Sequence, residues 1–349
     1  VWAVRLGPVV LAVAVLVAVL LALTTPPPKM ANDGRTALPA PLSRAPTSAT
    51  QDPETWVTWY AAGRLHLGAT VVRVRAVTQL VGVSGGAVYA NAEGQVVLVR
   101  PTGERTRLGL TNSSSTLVAS ADGALVGWAD IGRSDARVLT VVDGADGRSR
   151  RTLALSEDDD ARPVGLLGDR MYVVRFGRTY GWQLRDAELR PVAEVPLLTV
   201  AGGQVALGPL DTSPPSVGIT SIDPADRVPE GSSWLRVPGE AATLSPDGAI
   251  VLVRTTDGDV RLRDLATGRD LPSGLAASEV ARAVEVGSQG RVAYVVARRA
   301  QRPETDDEAS SFGSPVTVRT CTLSVDRTTM TCESVALVSG PSALPLLAR

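Results

Sequence analysis

The sequence predicts an all-β fold: a β-propeller of six blades, alternatively seven, preceded by a single N-terminal transmembrane helix. Three observations carry this. A tight turn followed by a short apolar run recurs at Gly86, Gly123, Asp169, Gly203, Gly248 and Gly290, at intervals of 37, 46, 34, 45 and 42 residues. A second turn, opened by Asp, recurs in phase at Asp143, Asp186, Asp223, Asp264 and Asp326. Near the N-terminus stand eighteen uncharged residues, Leu6 to Leu23.

Taken in chain order, residues 1–23 form the anchor. At about 1.5 Å per residue the uncharged run makes a helix of roughly 27 Å, close to the thickness of a bilayer's hydrocarbon core. Arg5 precedes it and no basic cluster follows, so the positive-inside rule places the N-terminus in the cytoplasm and the remainder outside. The competing reading is a cleaved signal peptide, whose apolar region is usually shorter and ends in small residues. Here "TTPPP" follows, which is a poor cleavage site, and no Cys follows to accept a lipid. Export follows from either reading; an uncleaved, single-pass anchor in the cytoplasmic membrane is the one expected.

Residues 24–54 are rich in Pro, Ala, Ser and Thr and lack apolar periodicity. Such a segment buries too little to offset its ordering entropy, so it reads as a disordered stalk. "TWVTWY" (55–60) then opens the propeller, which spans 55–340, and its aromatics are expected to cap an edge. "GRLHLGATVVRVRAV" (63–77) is a hairpin without a full blade of its own: an extra outer strand, or part of a degenerate seventh blade. It contains the single His of the chain, His66, expected to be a half-buried sheet residue.

The repeats occupy the rest. "SPDGAIVLVR" at Ser245 is matched by "SADGALVGWAD" at Ser120, and less closely by "SGGAVYA", "LGDRMYVVR", "AGGQVALG" and "SQGRVAYVVAR". Gly reaches positive φ without steric cost, which tight hairpins require, and an Asp that opens a turn bonds its own backbone two residues on. Each unit therefore holds four short strands, and "ASEVARAVEV" is read as a strand despite some helical character. A period near 40–45 with four strands is a propeller signature. The "SPDG … DLATG" pattern resembles the WD40-like and TolB-like propellers of exported bacterial proteins. That resemblance, from Ser84 to about Val338, implies the fold and not the function; the Gly-His and Trp-Asp pairs of eukaryotic WD40 repeats are missing. The Ala-, Val-, Gly- and Arg-rich composition, with Lys29 as the one lysine, resembles proteins of GC-rich bacteria such as actinobacteria.

Cys321 and Cys332 flank the turn "DRTT" in two alternating apolar runs, so they are expected to face each other across a hairpin. A disulfide fits an exported domain. Two Cys and one distant His are too few for a zinc site, so no metal is expected. Residues 341–349 read as a C-terminal tail.

Nothing in the sequence points to catalysis or to a cofactor. With one His and no suitable Cys nucleophile, hydrolytic triads are nearly excluded: a Ser nucleophile would need His66 or a Lys as its base, and the only Lys lies in the stalk. A net charge of −1 argues against nucleic acid as a partner. Two acidic runs remain: Glu157, Asp158, Asp159 and Asp160 between two repeats, and Glu304, Asp306, Asp307 and Glu308 inside the last one. In propellers both kinds of connection open on the same face, so the runs are expected to share a partner-binding rim. The resulting expectation is a monomeric, membrane-tethered, extracytoplasmic binding or scaffold module for a protein or cell-envelope component. The alternative is a glycan hydrolase or lyase of the envelope that uses propeller carboxylates.

Overall fold

Strands such as Gly86–Asn91 (GAVYAN) and Arg291–Arg298 (RVAYVVAR) are apolar on both faces. Successive side chains point to opposite sides of a strand, so these need a neighbouring sheet on each side. A computed structural model shows how that is met. It describes residues 41–42, 47–48, 56–111, 115–131, 137–156, 159–223, 228–229, 231–299, 315–339 and 344–348.

These residues form seven antiparallel sheets. Blade one runs Val77–Val83, Gly86–Asn91, Gln95–Val99, Arg105–Leu110. Blade two is Val118–Ala119, Leu125–Ile131, Arg137–Asp143, Ser149–Ala154. Blade three is Arg162–Leu167, Arg170–Arg175, Arg178–Gln183, Arg190–Ala193. Blade four is Leu197–Ala201, Gln204–Leu210, Ser216–Ser221, Leu235–Pro238. Blade five is Ala241–Leu244, Ile250–Arg254, Val260–Asp264, Asp270–Leu271. Blade six is Glu279–Val286, Arg291–Arg298, Val316–Leu323, Met330–Val338.

Blade seven joins the two ends of the chain. Its innermost strand is Leu346–Ala348, paired with Thr58–Ala61, then Arg64–Leu67 and Thr70–Arg73. The preference for six blades is thus corrected to seven. The hairpin around His66 is three-quarters of a blade, completed by residues read as tail. Two further short strands lie within the stretch read as stalk: Pro41–Leu42 pairs with the outer strand of blade one, and Thr47–Ser48 with that of blade seven.

The innermost strands contact one another in a closed cycle, from blade one through blade seven and back. The core lies between blades. On one strand, Val88 and Ala90 pack towards blade two, while Ala87 and Tyr89 pack towards blade seven. Each pair of neighbours repeats this interdigitation, with Trp128 and Trp182 fully buried at successive interfaces. "EVARAVEV" is a strand, as expected. The described residues contain no α-helix, only a short 3₁₀ turn at Gly231–Ser233, and none that is long and apolar enough to cross a membrane. Leu6 to Leu23 lies outside the described residues.

The aromatic cluster does not cap an edge. Trp59 is buried in blade seven and stacks on His66, with ring centroids 3.6 Å apart and planes within 8°. His66 is itself buried, deeper than expected.

Candidate functional site

Antiparallel pairing fixes two faces. The first-to-second and third-to-fourth strand turns open on one, here the turn face. The second-to-third turns and the blade-to-blade connections open on the other, the loop face. Both repeated sequence markers fall on the turn face, where they do structural work. Ser120 Oγ donates to Asp122 Oδ1 at 2.6 Å and accepts from the Leu125 amide at 2.9 Å. Ser245 and Asp247 repeat this at 2.5 Å, with the Ile250 amide at 2.9 Å. Ser324 and Asp326 do so at 2.6 Å, with the Thr329 amide at 3.0 Å, in a third-to-fourth turn. The Ser120 hydroxyl, joined by the Ala124 amide, holds the Asp122 carboxyl below the usual carboxylate range.

These turns also interlock. Gly123 has φ +67°, and a Cβ there would come within 2.8 Å of Ser84 N in the turn of blade one. Gly248, also at +67°, would press to 2.9 Å from Gly202 O in the turn of blade four. Asp247 Oδ2 accepts from the Gln289 amide of blade six at 3.3 Å. The glycine is therefore needed twice, for the turn and for the approach of the next blade.

The innermost strands surround a central channel of about 640 Å³. Its wall is mainly small or hydroxyl-bearing, with Gly82, Thr116, Val164, Thr199 and Thr243 at successive blades. Its ionisable lining groups are Asp122, Glu285 and Arg291. Asp122 is held in its turn. Arg291 lies 5.2 Å from the Trp56 ring centroid and its Nε donates to Ser288 O at 3.3 Å. Glu285 is likewise engaged.

On the loop face the first acidic run splits. Asp159 is 3% exposed; Arg175 Nε lies 3.1 Å from its Oδ1, which also accepts from the Ala161 amide at 3.0 Å. The Arg137 guanidinium bonds its carbonyl. Asp159 is therefore an internal support and not a carboxylate offered to a partner. Asp160 is exposed and accepts from the Phe176 amide, at 3.1 and 3.3 Å to its two oxygens. Glu157, Asp158, Glu304, Asp306, Asp307 and Glu308 lie outside the described residues. Arg298 and Val316, the described strand ends on either side of the second run, lie at the loop-face end of blade six.

Cys321 and Cys332 are disulfide-bonded, directly opposite each other in paired strands with Cα atoms 4.0 Å apart. Among the described residues no group of His, Cys, Asp and Glu is arranged to hold a metal ion.

Sequence reading passed over Phe176, and of Trp56 it expected only that it cap an edge. The signal for Phe176 was present in "RFGR": two residues, Phe-Gly, joining two apolar strands, where Asn-Gly would be usual. The signal for Trp56 was not, because its place over blade six depends on ring closure.

No family model and no curated protein matches the sequence. Solved structures do match by shape. A chain of the mitotic checkpoint complex is 13% identical with a TM-score of 0.50, over 87% of this chain and 90% of that one. The Swd1 β-propeller domain of Myceliophteria thermophila is 13% identical with a TM-score of 0.49, covering 78% and 90%. BamB of Moraxella catarrhalis is 14% identical with a TM-score of 0.43, covering 80% and 88%. At these identities the likeness is one of fold alone.

Proposed function

We propose that this chain is a non-enzymatic binding module: a propeller held outside the cytoplasmic membrane by residues 6–23, presenting its loop face to a protein or cell-envelope component. The observation that carries the reading is the channel. Glycoside hydrolysis needs two carboxyl groups facing each other across the scissile bond, about 5–9.5 Å apart and free to move protons. The channel's described carboxylates are Asp122, committed to its turn, and Glu285, also engaged. Several turns of the turn face are committed to blade-to-blade bonds, which favours the loop face for recognition. The disulfide suits an oxidising compartment and supports the extracytoplasmic placement.

In-cell crosslinking of the full chain, followed by mass spectrometry, tests this reading. A specific co-purifying protein or envelope component is expected. Release of soluble fragments from purified cell-wall glycan, lost on Asp122→Asn or Glu285→Gln, would instead assign the chain to the hydrolase or lyase class.

A further inference from the structure

The hairpin tip Arg175–Phe176–Gly177–Arg178 on blade three is built against its own interest. Phe176 has φ +50° and Gly177 φ +74°, the mirror-image turn that joins strands through two residues. Gly and Asn take the first position readily; a bulky residue there is an outlier. Phe176 gains nothing by burial in return, because it is 64% exposed, the one aromatic among the large exposed apolar side chains of the described residues. A strained and exposed aromatic contributes little to folding, and such outliers cluster where a protein binds or switches.

The tip is also held in place. Asp160 fixes the Phe176 amide, and the Arg175 guanidinium sits 5.3 Å from the Phe176 ring centroid and 6.0 Å from that of Tyr180. Arg175 is in turn fixed by buried Asp159. The ring is thus pre-set, which lowers the entropic cost of using it in an interface. The charge around it narrows the partner. Arg175 is matched by Asp159 and Arg178 by Glu194, the latter at 3.0 Å, while Asp160 shares a small recess with Asp130, Arg137 and Arg162. A tip whose described charges are balanced offers an anionic bilayer no electrostatic hold.

The geometry points to Phe176 as the anchor through which the loop face engages a protein partner. The ring enters an apolar pocket of the partner that accepts an aromatic side chain, with charged groups of both signs at its rim. This rests on the binding-module reading. Aromatic anchors in desolvated pockets carry most of the energy of such interfaces.

The test uses the full chain in cells, with photoreactive p-azidophenylalanine, which adds only a linear azide to the ring, in place of Phe176. The same analogue at Val325, an exposed residue of the turn face, is the control. One protein is expected to crosslink from position 176 and not from 325. That protein is then purified and titrated against the wild-type chain, Phe176→Asn and Phe176→Tyr. Asn should weaken binding by about tenfold or more, and Tyr by less than about threefold. Phe176→Asn should melt at the same or a higher temperature, since Asn relieves the turn. Equal binding by Phe176→Asn to a partner found in cells would leave the binding module standing and overturn the anchor. Crosslinks only to lipid, or only to a species of twice the chain's 36.3 kDa, would also overturn it, in favour of a bilayer or a second copy. No partner at all, from position 176 or from whole-chain crosslinking, would overturn both.

Discussion

Asp159 carries a charge that the fold has taken out of solvent, and Arg175, 31% exposed, is its counter-ion. Removing the carboxylate leaves the guanidinium and the Ala161 amide short of a partner. Asp159→Ala should therefore cost about 1–3 kcal/mol, the penalty for an unsatisfied buried group, read as a lower urea midpoint. An unchanged midpoint would show that Asp159 is an ordinary surface carboxylate. Glu279 makes a second internal pair. Arg319 donates to both its oxygens, at 2.9 and 2.7 Å, and both side chains are 18% exposed. Arg319's hydrogen bonds, against the opposing effect of burial, hold the Glu279 carboxyl below its ordinary value. The unfolded chain therefore takes up the proton first as pH falls. The pair's stabilisation is present at neutral pH and is lost as pH drops from about 4.3 through the lower folded-state value. Glu279→Gln should lower the melting temperature at pH 7 and flatten the acid limb, so that the two proteins converge towards low pH. Parallel curves would disprove the linkage.

The hairpin of blade six joins its two strands covalently at the pair Cys321–Cys332, with a sequence separation of 11. Closing a loop of that size removes unfolded-state entropy worth about 3 kcal/mol. The Cys321→Ser, Cys332→Ser double variant should unfold earlier by about that amount, and wild-type protein treated with reductant should match it. Peptide mapping without reductant should recover the linked pair. This hairpin was readable from the sequence because its information is local: two alternating runs and a turn. The same holds for the Ser-x-Asp-Gly turns, where hydroxyl, carboxylate and glycine act within a few residues, and for the strands, whose two apolar faces announce cover on both sides. The acidic run 157–160 shows the limit. Four adjacent carboxylates look alike in sequence, yet Asp159 is internal and Asp160 supports a turn, because blade three places Arg175 and Phe176 beside them. Burial of that kind is set by tertiary partners, and no spacing rule reports it.

At the scale of the ring, six blades are contiguous in the chain and were visible as repeats, whereas the seventh is assembled from both ends. Its strands carry neither the Ser-x-Asp-Gly turn nor the Asp-opened one, and its innermost strand is separated from the other three by nearly the whole chain. Periodicity has no means of registering such a blade, although the leftover hairpin at 63–77 marked where it would form. Closure makes a specific demand on Leu346–Ala348. Leu347 packs with Val57, Trp59 and Val318 at the interface with blade six, while Leu346 and Ala348 pack with Leu65, Val72 and Leu80 at the interface with blade one. Three residues thus seal two blade interfaces, and their pairing covers an edge of Thr58–Ala61 that would otherwise face the channel. Burying a large aliphatic side chain contributes about 1.5–3 kcal/mol, so losing this strand removes several kcal/mol from a domain whose total stability is of order 5–15 kcal/mol. Deleting residues 346–349 should abolish the single cooperative transition. Hydrogen exchange should then show protection lost first in blades seven, one and six, and retained longest in blades three and four. A truncated chain that still melts in one sharp transition, with uniform protection around the ring, would mean that the ring does not depend on its C-terminal strand.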